Sequence, residues 1–68
     1  MDLIDRIVKN IEEKRKQQGL SVDQLGKKSN ISFSTITKIR LKEVKDVRVS
    51  TLIALAQALQ CTLDDLVK

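Results

Sequence analysis

Apolar residues recur along this chain at helical intervals, and the polar residues between them change character from segment to segment. Leu3, Ile4, Ile7, Val8 and Ile11 fall at i, i+1, i+4, i+5 and i+8, one stripe of a helix that the pattern predicts over about Asp2 to Gln18. Asp2 and Asp5 suit its positive end, and Lys14, Arg15 and Lys16 its negative end. Gly19 supplies the stop. Ser21 with Gln24 three residues on is a capping-box signature for a short second helix around Leu25, which Asn30 ends. Ser32 then caps a third helix, about Phe33 to Leu41, with Ile31, Ile36 and Ile39 inward.

After a charged connection, KEVKDVRV, a fourth helix carries Val49, Leu52, Ile53, Leu55, Ala56 and Leu59. Either Asp46 or Ser50 could cap it. Thr62 opens a fifth, with Asp64 and Asp65 in its first turn and Leu63, Leu66 and Val67 as its inner face. Alternation at Val47 and Val49 is too brief for a strand, so the expected fold is all-α, with five helices.

The third helix is unusual outside its core positions. Its remaining residues are short hydroxyls (Ser34, Thr35, Thr37), Lys38 and the bare aromatic Phe33, rather than the strong helix formers of an ordinary exposed face. Gly26, inside the second helix, carries a propensity cost. The spacing suggests a close crossing there, at which Ala or Gly would serve.

Composition narrows the class. A chain of 68 residues, 41% hydrophobic, is enough for one small domain spanning 1–68 with an aliphatic core, since Phe33 is its only aromatic. Net charge is +4, and residues 19–48 hold seven basic against three acidic side chains, so the middle of the chain is the electropositive part and suits a polyanion. Cys61 is single and histidine absent, so neither an intramolecular disulfide nor a zinc site is expected. Cys61 reads as a small core residue. The segment MDLIDRIVKNIEEKRK reads as neither a signal peptide nor a membrane span, and a reducing cytoplasm is the default location. With no metal-ligand cluster, no glycine-rich phosphate loop and no base beside a Ser or Thr, the inventory argues against an enzyme. It suggests no cofactor and no small-molecule effector.

The stretch GLSVDQLGKKSNISFSTITKI resembles the helix-turn-helix of the phage-repressor and Cro-like regulators, the XRE family. The shared positions are Gly19, Leu20, Ser21, Leu25, Ile31, Ser32, Ile36 and Ile39, with Gly26 where that family has Ala. VSTLIALAQALQCTLDDLV resembles the family's closing two helices. The resemblance implies a compact five-helix, lambda-repressor-like domain whose second and third helices form the motif. It implies a sequence-specific transcriptional regulator of double-stranded DNA, a repressor, with the third helix in the major groove and a homodimer on two half-sites. Carried over by position, the base readers are Phe33, Ser34, Thr37 and Lys38. Lys38 suits guanine O6 or N7, and Phe33, which has no donor, suits a thymine methyl. Phosphate contacts fall to the Ser21 and Thr35 hydroxyls, the backbone N–H groups of Val22 and Phe33, and Arg40, Lys42, Lys45 and Arg48. Leu63, Leu66 and Val67 are the candidate dimer surface, unless the monomer core uses them.

The chain departs from the family pattern at several points. Arg40 stands where Glu is usual, and the Arg that such a Glu commonly pairs with corresponds to Arg15. The expectation is that Arg40 turns outward to phosphate while Arg15 pairs with Glu12 or Glu43. Val22 replaces a common Gln, Leu41-Lys42 replaces an Asn-Gly turn, and Val47 replaces a proline. Blander readings stand beside these. Lys38, Arg40, Lys42 and Lys45 could be a solvated face. Phe33 could lie flat over the core edge near Ile36. The fold could also serve as a protein-interaction module of antitoxin or adaptor type, which joint exposure of Phe33 and Leu41 would favour.

Overall fold

The computed structural model describes residues 2–68, and among these the regular structure is α1 (Leu3–Gln17), α2 (Val22–Ser29), α3 (Phe33–Arg40), α4 (Val49–Ala58) and α5 (Leu63–Val67). The all-α, five-helix reading of the hydrophobic pattern agrees with this element for element. Each start has a local cause where a hydroxyl precedes it. Ser21 accepts from the Gln24 N–H, and the Gln24 side chain returns to the Ser21 N–H, a complete capping box. Thr62 and Asp65 form a second one at α5. α4 differs from expectation. Neither Asp46 nor Ser50 caps it; the N-cap is Arg48, in extended backbone and with no side-chain cap. α3 ends at Arg40, with Leu41 as its cap.

The helix ends share one device. After α1, Gly19 lies at φ 66, its N–H donating to the Lys16 carbonyl while the Leu20 N–H donates to Arg15. After α3, Lys42 takes the same left-handed place at φ 58, and after α4, Gln60 does so at φ 57. Each closes its helix with the paired 6→1 and 5→2 bonds of a Schellman motif: Glu43 to Lys38 and Lys42 to Ile39, then Cys61 to Ala56 and Gln60 to Gln57. Lys42 therefore occupies a position that glycine would hold without strain.

One buried cluster draws on all five helices: Ile7, Val8 and Ile11 of α1, Leu25 of α2, Ile36 and Ile39 of α3, Leu52, Leu55, Ala56 and Ala58 of α4 with Leu59 after it, and Leu66 of α5. Burial of this aliphatic surface is the main stabilising term, at roughly 25 cal/mol per Å² removed from water. Polar ties orient the pieces. Asn10 Nδ2 donates to the Leu66 carbonyl at 2.9 Å, which locks α5 to α1, and the Gln18 amide donates to the Leu59 carbonyl.

The apolar stripes are wider than the core that uses them. Leu3, Val49 and Ile53 belong to the stripes of α1 and α4 but remain exposed. Leu66 is the reverse case. The sequence offers it as a dimer residue, yet it is completely buried inside its own chain and cannot face a partner. Leu63 and Val67 are half-buried against the same cluster.

Candidate nucleic-acid interface

The pairing of α2 with α3 is set at the turn between them. Asn30 adopts the left-handed conformation at φ 61, and the Ile31 N–H donates to the Gly26 carbonyl at 3.1 Å. A Cβ built on Gly26 would stand 3.0 Å from the Ile31 carbonyl oxygen and 3.6 Å from Ile36 Cδ1. The close approach inferred from sequence is real, but the nearest neighbour is turn backbone. Alanine would therefore not fit as freely as glycine. Ser29, the buried polar residue of this pair, satisfies itself by donating to the Leu25 carbonyl at 2.7 Å.

Ser32 then starts α3. Its Oγ accepts from the Thr35 N–H at 3.1 Å and donates to Thr35 Oγ1 at 2.8 Å. The Thr35 hydroxyl keeps its own proton free to donate outward. Ile36 and Ile39, buried to 1% and 3% exposure, anchor the inner side, so the opposite side is fixed in direction. That outer side carries Ser34, Lys38 and Leu41, with Phe33 and Thr35 on its two flanks, all exposed. Phe33 is 55% exposed, so it stands out rather than lying down on Ile36.

Thr37 does not join them. Its residue is half-buried, and its hydroxyl oxygen is fully covered with no hydrogen-bond partner among the described residues. At 100° per residue Thr37 falls within the outer face, about 50° from its centre, yet its hydroxyl oxygen is covered. The expectation of an outward hydroxyl there is corrected.

Two of the expected phosphate ligands are also held elsewhere. Arg40 does not swing out; its Nε–H donates to Glu12 Oε1 of α1. Arg15 holds the other oxygen of that carboxylate, Nε to Oε2 at 2.7 Å. Burial of the Glu12 carboxyl opposes its ionisation. The hydrogen bonds from Arg40 and Arg15 outweigh this and hold its pKa below the ordinary value. Lys42 Nζ lies 2.7 Å from Asp5 Oδ1. That hydrogen bond is the main reason the Asp5 pKa is lowered. Lys42 and Arg40 thus join α3 and its C-terminal turn to α1.

The remaining candidates divide into two places. Arg48 and Thr35 line one groove, between α3 and the connection to α4, together with Ser32, Asn30 and Val44. Ser21 and Val22 open α2, Ser21 exposed and Val22 half-buried. The Val22 and Phe33 N–H groups lie at first helical positions, where no intrahelical acceptor exists. Lys45 lies apart. It lines a separate cleft with Leu3, Val49 and Val67, at the start of α1 and of α4. Sequence reasoning missed Glu12 as the partner of Arg40. The only signal for Glu12 was its position three residues before Arg15. Among the described residues no cluster fit for a metal ion occurs, and no helix is long and apolar enough to cross a membrane.

The family described as helix-turn-helix matches residues 11–66, well over half of the chain. No curated protein matches the chain. Among solved structures, the fold matches SinR, described as the master regulator for biofilm formation, in a crystal structure with DNA. The TM-score is 0.86 at 21% identity, over 91% of this chain and 98% of that one. At that identity the likeness shows a common fold.

Proposed function

The chain belongs to the XRE-type helix-turn-helix family of DNA-binding transcription regulators, and from that membership we propose that it is a sequence-specific repressor that seats α3 in the major groove of its operator. The observation that carries this is the outer side of α3. Ile36 and Ile39 pin the helix from within, while Phe33, Ser34 and Lys38 project to solvent on a rigid support. Small hydroxyl side chains let the backbone come close to base edges, and Lys38 has the reach and charge for guanine O6 or N7. In this reading Ser21, Thr35, Arg48 and the Val22 and Phe33 N–H groups fix the register on phosphates. Arg40 and Lys42 tie α3 and its C-terminal turn to α1, and Lys45 lines the cleft by Leu3 and Val49 instead of the groove beside Thr35.

The protein binds as a homodimer on half-sites about 34–36 Å apart. An exposed apolar strip supports this: Leu3 and Val49 on one cleft that half-buried Val67 also lines, with Ile53 one turn along α4 from Val49. A half-buried, unpaired Cys61 suits the cytoplasm as the site of action.

Selection of bound fragments from random duplex DNA tests the reading. A two-fold symmetric site should emerge, and log affinity should fall with log salt at about −0.9 per phosphate neutralised. Joint exposure of Phe33 and Leu41 favours a second reading, a protein-interaction module on the same fold. A salt-independent response and no selected sequence would decide for it.

A further inference from the structure

The outer side of α3 is apolar at both ends and polar between them. Phe33 opens it at 55% exposure and Leu41 closes it at 62%. Ser34 and Lys38 lie between, both exposed. Leu41 still follows the helical course: its backbone is at φ −85, ψ 2, and its N–H donates to the Thr37 carbonyl at 2.9 Å. Eight residues separate the two apolar side chains, roughly 12 Å along the axis and about 80° around it. They therefore share one side. The left-handed residue behind Leu41, Lys42, turns the chain away toward Asp5 on α1. Leu41 is left as the last group on the reading side.

Burying two large apolar groups against base edges requires apolar partners, and the major groove offers the C5-methyl of thymine. A span of roughly 12 Å, against about 3.4 Å of rise per base pair, covers at most three to four steps. We infer that Leu41 is a second apolar base-reading residue, and that Phe33 and Leu41 recognise the methyl groups of two thymines up to three or four base pairs apart in each half-site. Ser34 and Lys38 read the pairs between them. This inference rests on the DNA-binding reading above. It gives the exposed patch an occupant that a protein partner would otherwise claim.

The test uses the full chain and the duplex selected from random DNA. Each thymine is replaced in turn by uracil, which removes one methyl and leaves the pairing unchanged. Affinity should fall about fourfold at each of two positions per half-site, the worth of about one methylene removed from water. 5-Bromouracil, with a methyl-sized bromine, should restore it. Leu41→Ala should lose that factor on the thymine duplex and none on the duplex carrying uracil at one of the two positions. Phe33→Ala should do the same at the other. Both residues are more than half exposed, so the variants should keep wild-type helicity. Equal affinity for thymine and uracil duplexes would overturn the inference while leaving DNA binding intact. A Leu41→Ala loss of the same size on both duplexes would also overturn it, because Leu41 would then act on the scaffold. If no duplex is selected at all, the DNA-binding reading fails and this inference with it.

Discussion

Arg40 of α3 donates to Glu12 of α1, 28 residues earlier in the chain, and the same carboxylate also holds Arg15. Two guanidinium groups are thereby brought together without repelling the helices apart. Their shared anion lies between them at 19% exposure. The sequence pattern shows two arginines where a Glu–Arg pair is usual, and it suggests that one must leave. The structure instead supplies the missing acid from one turn earlier on α1.

Glu12→Gln should therefore destabilise the fold by about 1–3 kcal/mol at pH 7, because it leaves two half-buried cations with a neutral partner. The folded-state pKa of Glu12 is lowered, so its contribution is fully present above the unfolded value. It disappears as pH falls through the lower folded value. Wild type and variant should converge in urea denaturation as pH drops below about 4.5, the ordinary value. An equal gap at pH 7 and in acid would mean that the charge on Glu12 is not what stabilises.

What could be read from sequence was mostly local. Ser21 with Gln24, Ser32, Thr62, Gly19 and Asn30 set helix ends through neighbours within a few residues, and each does so here. What could not be read depended on distance or on rotation. Arg40 advertises a charge but not the direction of its partner. Thr37 falls on the outer side of a helical wheel, which places its Cβ but not its hydroxyl. In α5, the apolar positions of a five-residue helix serve the core before any second surface, so Leu66 was unavailable to a dimer. At α4 the hydroxyl and carboxyl candidates flank Arg48, where the chain actually turns into the helix.

The left-handed places of Lys42 and Gln60, unlike that of Asn30, were equally hidden, and Gln60 offers a clean test. It ends α4 at φ 57 with an exposed side chain. Gln60→Gly should stabilise the protein by about 0.5–1 kcal/mol, the relief of left-handed strain less the extra freedom of glycine in the unfolded chain. Gln60→Val should move the urea midpoint the other way. Lys42→Gly should gain less than Gln60→Gly, since it also removes the contact with Asp5.

Thr37 carries a second hidden cost, a buried hydroxyl with no partner among the described residues. Thr37→Val replaces that oxygen with a methyl of similar shape. It should raise stability by about 1 kcal/mol, read as a higher denaturation midpoint, and leave affinity for the selected duplex unchanged. A lower midpoint, or weaker binding specific to that duplex, would return the hydroxyl to the base-reading set.

Lys38 and Arg48 should separate sequence reading from charge attraction. Lys38 projects from the outer side of α3, whereas Arg48 lines the groove beside Thr35, at the edge where phosphates would pass. Lys38→Ala should cost about 1–3 kcal/mol on the selected duplex and relax the preference at a single base pair. Arg48→Ala should weaken selected and unrelated duplexes by the same factor and make the salt slope shallower by about 0.9. Binding titrations at several salt concentrations measure both. If Lys38→Ala weakened every duplex equally and Arg48→Ala altered base preference, the edge-reading and phosphate-holding roles would have to be exchanged. α3 would then lie in the groove rotated about its own axis, with the Thr35 side facing the bases.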